Sequence, residues 1–275
     1  MLTTVSRYIL LDKQHIDFAN AAINRPDMKG ESAMYNRVMP RDDIAVVTFL
    51  EDRQTGVRIM VVNAHIFWDP QFKDVKVVQV AILMEQIAKI AETYARHPPL
   101  MDKAPYAHGD ADDVAPDACE YAPSVEYASG PQIPLVLCID SNSTPESGVY
   151  DLLANGTLAC SHSDLGDFGY GNFTRNGLAH PCSLKSAYGN MGELRFTNYT
   201  PGFTGVIDYI MYSANALSVT GLLGEVDKEY LMRVPGFPNY HFPSDHLALV
   251  AEFVVKPRKA ERRVVEADFG PGYNR

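Results

Sequence analysis

The stretch Ile133 to Asn142, IPLVLCIDSN, decides the fold. Five of its first six residues are apolar, it follows the Gly130-Pro131 break, and it ends in an acid and an amide. A near-continuous apolar run of this length reads as a strand buried on both faces. Asp140 and Asn142 stand two apart, so an extended backbone points them to the same side. A carboxylate beside a carboxamide, at the mouth of a buried strand, offers the oxygen ligands a hard cation takes. Plain turn residues are the competing reading of that pair. The following Ser143-Thr144-Pro145-Glu146 reads as a helix start, with Thr144 as N-cap and Pro145 at the first helical position of a helix over 146–154.

Upstream, Arg7 to Leu11 reads as a short strand and Lys13 to Ala21 as a short helix or turn. Ile44 to Leu50 and Val57 to Phe67 are β-rich runs, and the polar EDRQTG of 51–56 between them makes a hairpin. Val80, Leu83, Ile87, Ile90 and Tyr94 recur at spacings of three and four, which predicts a helix over 74–97 with one buried stripe. Glu85 and Lys89 are placed for an ion pair on its outer side, and Pro98-Pro99 ends it. Met101 to Pro131 is acidic, rich in Ala and Pro and without apolar period, and reads as a disordered surface insertion. Downstream, 194–199, 206–212, 217–223 and 247–255 are strand candidates, and the basic end of the chain reads as a solvated tail over 257–275. Many strands with few helices suggest two sheets face to face with helices outside.

The chain has 275 residues, 46% of them hydrophobic, with a formal net charge of −10. That balance argues against binding long duplex nucleic acid through bulk electrostatics, but leaves room for a narrow cleft dominated by bound cations. The four cysteines are widely spaced and form no CxxC pair, so a zinc site is not expected and a reducing compartment fits. No signal peptide or membrane-spanning run is read.

Polar residues recur at strand ends. The second hairpin strand carries Asn63 and His65 and runs into Trp68-Asp69-Pro70; Asp208 sits inside the apolar VIDYI; Ser244-Asp245-His246 opens the last strand. An acid inside an apolar run is costly unless paired. A carboxylate from Asp208 is the usual means of fixing a histidine such as His246 in one tautomer. Asp140, Asn142, Asp245, His246 and His65 together would bind a divalent cation and a phosphate group.

NAHIFWDP, LCIDSNSTPESGVYDLL, FTNYTPGFTGVIDYIMYS and FPSDHLALVAEF occur in that order. They resemble the endonuclease/exonuclease/phosphatase superfamily, and within it the catalytic subunits of carbon catabolite repressor–NOT deadenylase complexes, the fungal form in particular. The resemblance implies an α/β, DNase-I-like two-sheet β-sandwich flanked by helices, N-terminally truncated. Residues 1–256 would be its partial domain and 101–131 its insertion. The implied activity is Mg2+-dependent 3′→5′ removal of poly(A) from RNA, in the cytoplasm or also the nucleus. Further subunits of a deadenylase complex are implied as partners of the full-length protein, and no membrane is.

By the same resemblance, Asp140 and Asn142 lie at the metal–phosphate site. Asp208 orients His246 near a second metal, Asp245 supports the metal site, and His246 and His65 contact phosphate. Pro70, Asn198 and Phe203 would line an adenine cleft, which disfavours a lipid or small-ester phosphatase. Two departures stand out. The family pattern G-D-F-N-S is here Ile139-Asp140-Ser141-Asn142-Ser143, with bulk added where the backbone nears the cleft. The family's Leu-Gln-Glu segment, whose Glu is the main magnesium ligand, has no counterpart in the chain. A catalytically inactive fragment that keeps a nucleotide-binding cleft is therefore the alternative to an active enzyme.

Overall fold

The computed structural model describes residues 7–103 and 121–257. The elements run β1 (Tyr8–Asp17), α1 (Phe18–Ile23), β2 (Ile44–Asp52), β3 (Arg58–His65), α2 (Lys73–Ala95), β4 (Leu135–Asp140) and α3 (Gly148–Asn155). They continue with β5 (Thr157–Leu158), α4 (Asn172–Asn176), β6 (Leu178–Ala179), β7 (Leu184–Ser186), β8 (Asn198–Tyr199) and β9 (Thr204–Gly205). Last come β10 (Asp208–Ser213), β11 (Leu217–Leu222), α5 (Lys228–Leu231) and β12 (Ala251–Val255).

Six strands form one mixed sheet in the order β1-β2-β3-β4-β10-β7. The β3–β4 pair is parallel and its neighbours are antiparallel. A parallel pair needs a long crossover, and α2 supplies it. One sheet face, carrying Val47, Phe49, Met60, Val62, Leu137, Ile139 and Met211, shares a core with α2. Phe49 stacks on Tyr94 with ring centroids 4.2 Å apart. On the opposite face, Val136, Ile210 and Tyr212 pack under the β11–β12 pair through Leu217 and Phe253. That two-stranded layer covers only the β4–β10 end, so among the described residues the second sheet is smaller than the sandwich expected. Over β2 the same face is open, with Ile44 and Val46 exposed.

Several local expectations shift. The first strand extends to Asp17 where a helix or turn was expected, because residues 8–17 pair along β2 almost without interruption. Helix α2 buries far more than one stripe: Val75 through Met84 are all buried, polar Lys76 and Gln79 included. Glu85 is taken by Arg25 and not by Lys89. The N-cap of α3 is Ser147, whose hydroxyl accepts from the Tyr150 amide, so Thr144 and Pro145 lie in the turn before it. The helix ends on Gly156 at φ +75, a conformation glycine adopts without strain. Leu194 to Tyr199 yields only two strand residues, and 247–250 none.

The EDRQTG turn is buried at its start. Glu51 is fully buried and takes Arg58 Nε at 2.8 Å, Lys103 Nζ at 2.6 Å and the Ser124 hydroxyl at 2.7 Å. Arg58 also donates to the carbonyls of His97 and Pro98. Of the acidic stretch 101–131, residues 104–120 lie outside those described, whereas both flanks pack: Lys103 and Tyr127 are buried. The basic tail beyond 257 also lies outside the described residues. Among those described, no helix is long and apolar enough to cross a membrane.

Candidate active site

Register builds the site. His65 pairs with Asp140 across β3–β4, and Asp140 pairs with Asp208 across β4–β10. Directly paired residues point to one face, so these three form a polar row at one end of the sheet face that α2 leaves free. His65 Nε2 stands 3.7 Å from Asp140 Oδ2, and its Nδ1 stands 3.6 Å from Asp43 Oδ1. His246 arrives from the far side. The segment 245–247 lies alongside β8, with Tyr199 N donating to Asp245 O and Leu247 N to Thr197 O. His246 Nδ1 lies 2.8 Å from Asp208 Oδ2, and ligand atoms of Asp140, Asp208 and His246 all lie within 4.8 Å of one another.

The electrostatics follow from this crowding. Burial raises the Asp140 carboxyl above the usual carboxylate range, and the neighbouring Asp208 charge adds to the rise. Burial pushes His246 the other way, towards neutrality, but its bond to Asp208 and the surrounding carboxylates prevail and hold it above the ordinary histidine value. Two half-buried carboxylates in direct register repel. A divalent cation between them relieves that repulsion, and magnesium is commonly held by one or two carboxylates, with water and substrate phosphate completing its shell. The donor set therefore fits such an ion.

Asn142 sits at φ +48, its amide N donating to Asp140 Oδ1 and its side chain to Ile66 O at 2.8 Å. Asp245 lies outside the Asp140–Asp208–His246 group; its carboxylate receives the Asn198 side-chain amide at 3.2 Å. Asn198 is buried opposite His246, Phe203 is 44% exposed beside the β8–β9 hairpin, and Pro70 is exposed in the turn after β3. Ile139 does not crowd the cleft. It points into the helix-side core, with the small Ala64 as its partner on β3. Ser141 is buried too, its hydroxyl donating to Ile207 O at 3.0 Å, so it ties the end of β4 to the approach of β10.

Four supporting residues were not read from the sequence. Thr197 Oγ1 donates to Asp208 Oδ2 at 2.6 Å and accepts from the amides of Ile207 and Asp208. Lys76 Nζ donates to Asn142 O at 2.7 Å and Trp68 O at 3.2 Å; burial lowers its pKa to about 8 against the pull of Asp69 and Asp140. Gln79 accepts from Phe67 N at 2.9 Å and donates to Asp43, the fourth, at 3.0 Å. Two polar residues inside the run VKVVQVAILM were the available signal for Lys76 and Gln79. Thr197 and Asp43 carried none.

No family model matches the chain. Solved structures share its fold: an endonuclease/exonuclease/phosphatase from Bacteroides vulgatus (TM-score 0.50, 16% identity, 91% of this chain and 67% of that one). The ANGEL2 2′,3′-cyclic phosphatase in complex with adenosine-2′,3′-vanadate is similar as well (TM-score 0.60, 23% identity, 90% of this chain and 68% of that one). In sequence the chain is similar to the Ccr4 3′-5′-exoribonuclease subunits of CCR4-Not complexes. It is 61% identical over 274 residues to that subunit of Phaeosphaeria nodorum and 58% over 271 residues to that of Aspergillus fumigatus, each match covering 98% of this chain. It spans less than half of those relatives' own length, 46% and 39%.

Proposed function

We propose that this chain carries the phosphate-cleaving half-site of a magnesium-dependent 3′→5′ exoribonuclease that shortens poly(A) tails. The observation that supports this most is the convergence of Asp140, Asp208 and His246 within 4.8 Å, in a chain 61% identical to a Ccr4 exoribonuclease subunit. Asp140 and Asp208 would hold the ion, with Asn142 beside them. A bound Mg2+ there supplies charge stabilisation for the attacking and leaving oxygens at phosphorus. With Nδ1 engaged by Asp208, His246 keeps Nε2 as its second donor, and its raised pKa favours the imidazolium that donates to a phosphate oxygen. His65, at the other end of the row, is the second phosphate contact. Asp140 would serve either as ligand of the ion or as acceptor of a proton from the attacking water.

Asn198, Phe203 and Pro70 would receive the terminal adenine, with Phe203 as the stacking face; stacking of a base on an aromatic is worth roughly 1–3 kcal/mol. Asp245 acts through Asn198, orienting its amide. The partners are poly(A) RNA and the other subunits of a CCR4-Not complex, and the place of action is the cytoplasm and nucleus. A second reading, a nucleotide-binding cleft without cleavage, is favoured by the small donor set: two carboxylates among the described residues, one already bonded to both Thr197 and His246.

The test is shortening of an oligo(A)-tailed RNA on a denaturing gel with Mg2+, using the protein at its natural length. Shortening that vanishes in Asp140→Ala is the expected result. No shortening, with AMP still bound, would favour the cleft alone. Shortening that survives Asp140→Ala would overturn the assignment.

A further inference from the structure

A pocket of about 390 Å3 opens beside the candidate site, lined by Ser32, Asn36, Arg37, Arg41, Phe72 and Phe168. One wall is a five-residue π-helical turn, Met34–Val38, a geometry frequent at functional sites. The two arginines differ in state. Arg37 grips the buried Asp74 carboxylate with two bonds of 2.7 and 2.8 Å and lies over both Phe72 and Phe168. Its charge is matched inside the fold. Arg41 lies over Phe67 at 4.2 Å and Phe72 at 4.6 Å, and no carboxylate pairs with it among the described residues. Its Nε is buried with no hydrogen-bond partner. A guanidinium offers five donors and no acceptor, and a half-buried one with donors unmatched is costly until an anion meets it.

Position adds to chemistry. Arg41 precedes Asp43 by two residues, and Phe67 follows His65 by two. Asp43 touches His65, and Gln79 clamps both segments by bonding Asp43 and Phe67 N. Arg41, which lies over Phe67, and Asp43, which touches His65, therefore place the Arg41 pocket beyond the His65 end of the polar row. A strand of nucleic acid whose scissile phosphate lies on that row would bring its next phosphate here. In a chain of net charge −10, an unmatched cation at this place is a selective anion contact.

We propose that this pocket binds the second nucleotide of a single-stranded RNA, with its phosphodiester on Arg41 and its base against the 41%-exposed Phe168. The proposal rests on the nucleotide reading of the main site and deepens it. Contact is to the backbone and to a π-face, so it does not select adenine.

Calorimetric titration of AMP, the trinucleotides A3 and U3, and inorganic phosphate, with Ca2+ in place of Mg2+ to keep a cation at the main site while suppressing turnover, tests it. Wild-type protein should bind A3 more tightly than AMP. Arg41→Gln should weaken A3 and U3 alike by about tenfold, leave AMP unchanged, and flatten the salt dependence of A3 binding by about 0.7 in logarithmic slope. Asn36→Asp, which sets a carboxylate at the exposed rim, should weaken A3 in the same sense at unchanged Tm, and it carries the test if Arg41→Gln does not fold. Unchanged A3 affinity and slope in both variants would overturn the second-nucleotide site while leaving the main cleft intact. Failure of wild-type protein to bind either AMP or A3 would overturn both. Parallel loss of AMP and A3 with a lowered Tm would make Arg41 a structural cation, and phosphate competing as well as A3 would make the pocket a simple anion trap; either result overturns the proposal.

Discussion

Asp140 and Asp208 are direct register partners on antiparallel strands, and both lie on the sheet face that α2 leaves open. Like charges placed opposite one another destabilise a sheet, so the pair is a cost in the ion-free fold. Asp140→Asn removes that repulsion and one ligand together. In EDTA its Tm should equal or exceed wild type. With Mg2+ the wild type should gain about 2–4 °C for each kcal/mol of binding, and the variant nothing. Differential scanning calorimetry decides, and an equal Mg2+ shift in both proteins would remove Asp140 from the ion site.

Thr197 holds Asp208 by its hydroxyl and also receives two backbone amides. Thr197→Val keeps the shape but strands those amides and frees the carboxylate. A loss of about 1–3 kcal/mol is expected, with weaker Mg2+ response. Urea unfolding measures the first; a variant as stable as wild type would show that water replaces the hydroxyl at no cost.

Glu51 neutralises two buried cations, Arg58 and Lys103. Glu51→Gln leaves them uncompensated, and breaking a buried pair by removing one partner costs about 3–5 kcal/mol. The same unfolding experiment should show one of the largest losses available from a single substitution. A change below about 1 kcal/mol would mean the cations reach solvent.

Acid should destabilise the protein below about pH 4.5. Burial opposes ionisation of Glu51, Asp52 and Asp27, but their bonds to Lys103 and Arg58, to Arg7, and to the Asn172 amide and Arg25 hold them below their ordinary values of 4.5, 3.8 and 3.8. A depressed folded pKa contributes stability above the unfolded value and loses it as pH falls through the folded one. Asp140, raised by burial and Asp208, has the opposite sign: its penalty disappears on protonation. Asp12 is held low as well, by its bond to Gln14, so the depressed carboxylates outweigh Asp140 and Tm measured from pH 6 to 3 should fall. A rise over that range would show that the Asp140–Asp208 repulsion dominates.

The strands, the α2 crossover and the polar row were legible because each rests on local pattern: apolar runs, a helical period, and acids or histidines set into strand ends. The stripe assigned to α2 was too narrow because a helix sandwiched between a sheet and α3, with other segments over it, buries more than one side. Ser147 displaced Thr144 as N-cap, since either hydroxyl fits the sequence pattern and only the turn geometry chooses. Asp245 looked equivalent to its neighbours in SDH, yet backbone pairing with β8 turns it to Asn198. Ile139 looked like bulk added at the cleft. Strand parity sends Ile139 to the helix side, which position in a motif does not reveal.

The parallel pairing of β3 with β4 also governs the order in which the protein can assemble. β1, β2 and β3 form a meander whose contacts are local, whereas β3 and β4 meet only after the whole α2 connection closes, and β10 joins from farther still. Non-local pairings of this kind form slowly. A chain halted at the meander has half of the six-stranded sheet but no row, because His65, Asp140, Asp208 and His246 come from four separate segments. An ion held between Asp140 and Asp208 would therefore stabilise only chains in which β4 and β10 have already paired, and would report on that step of refolding.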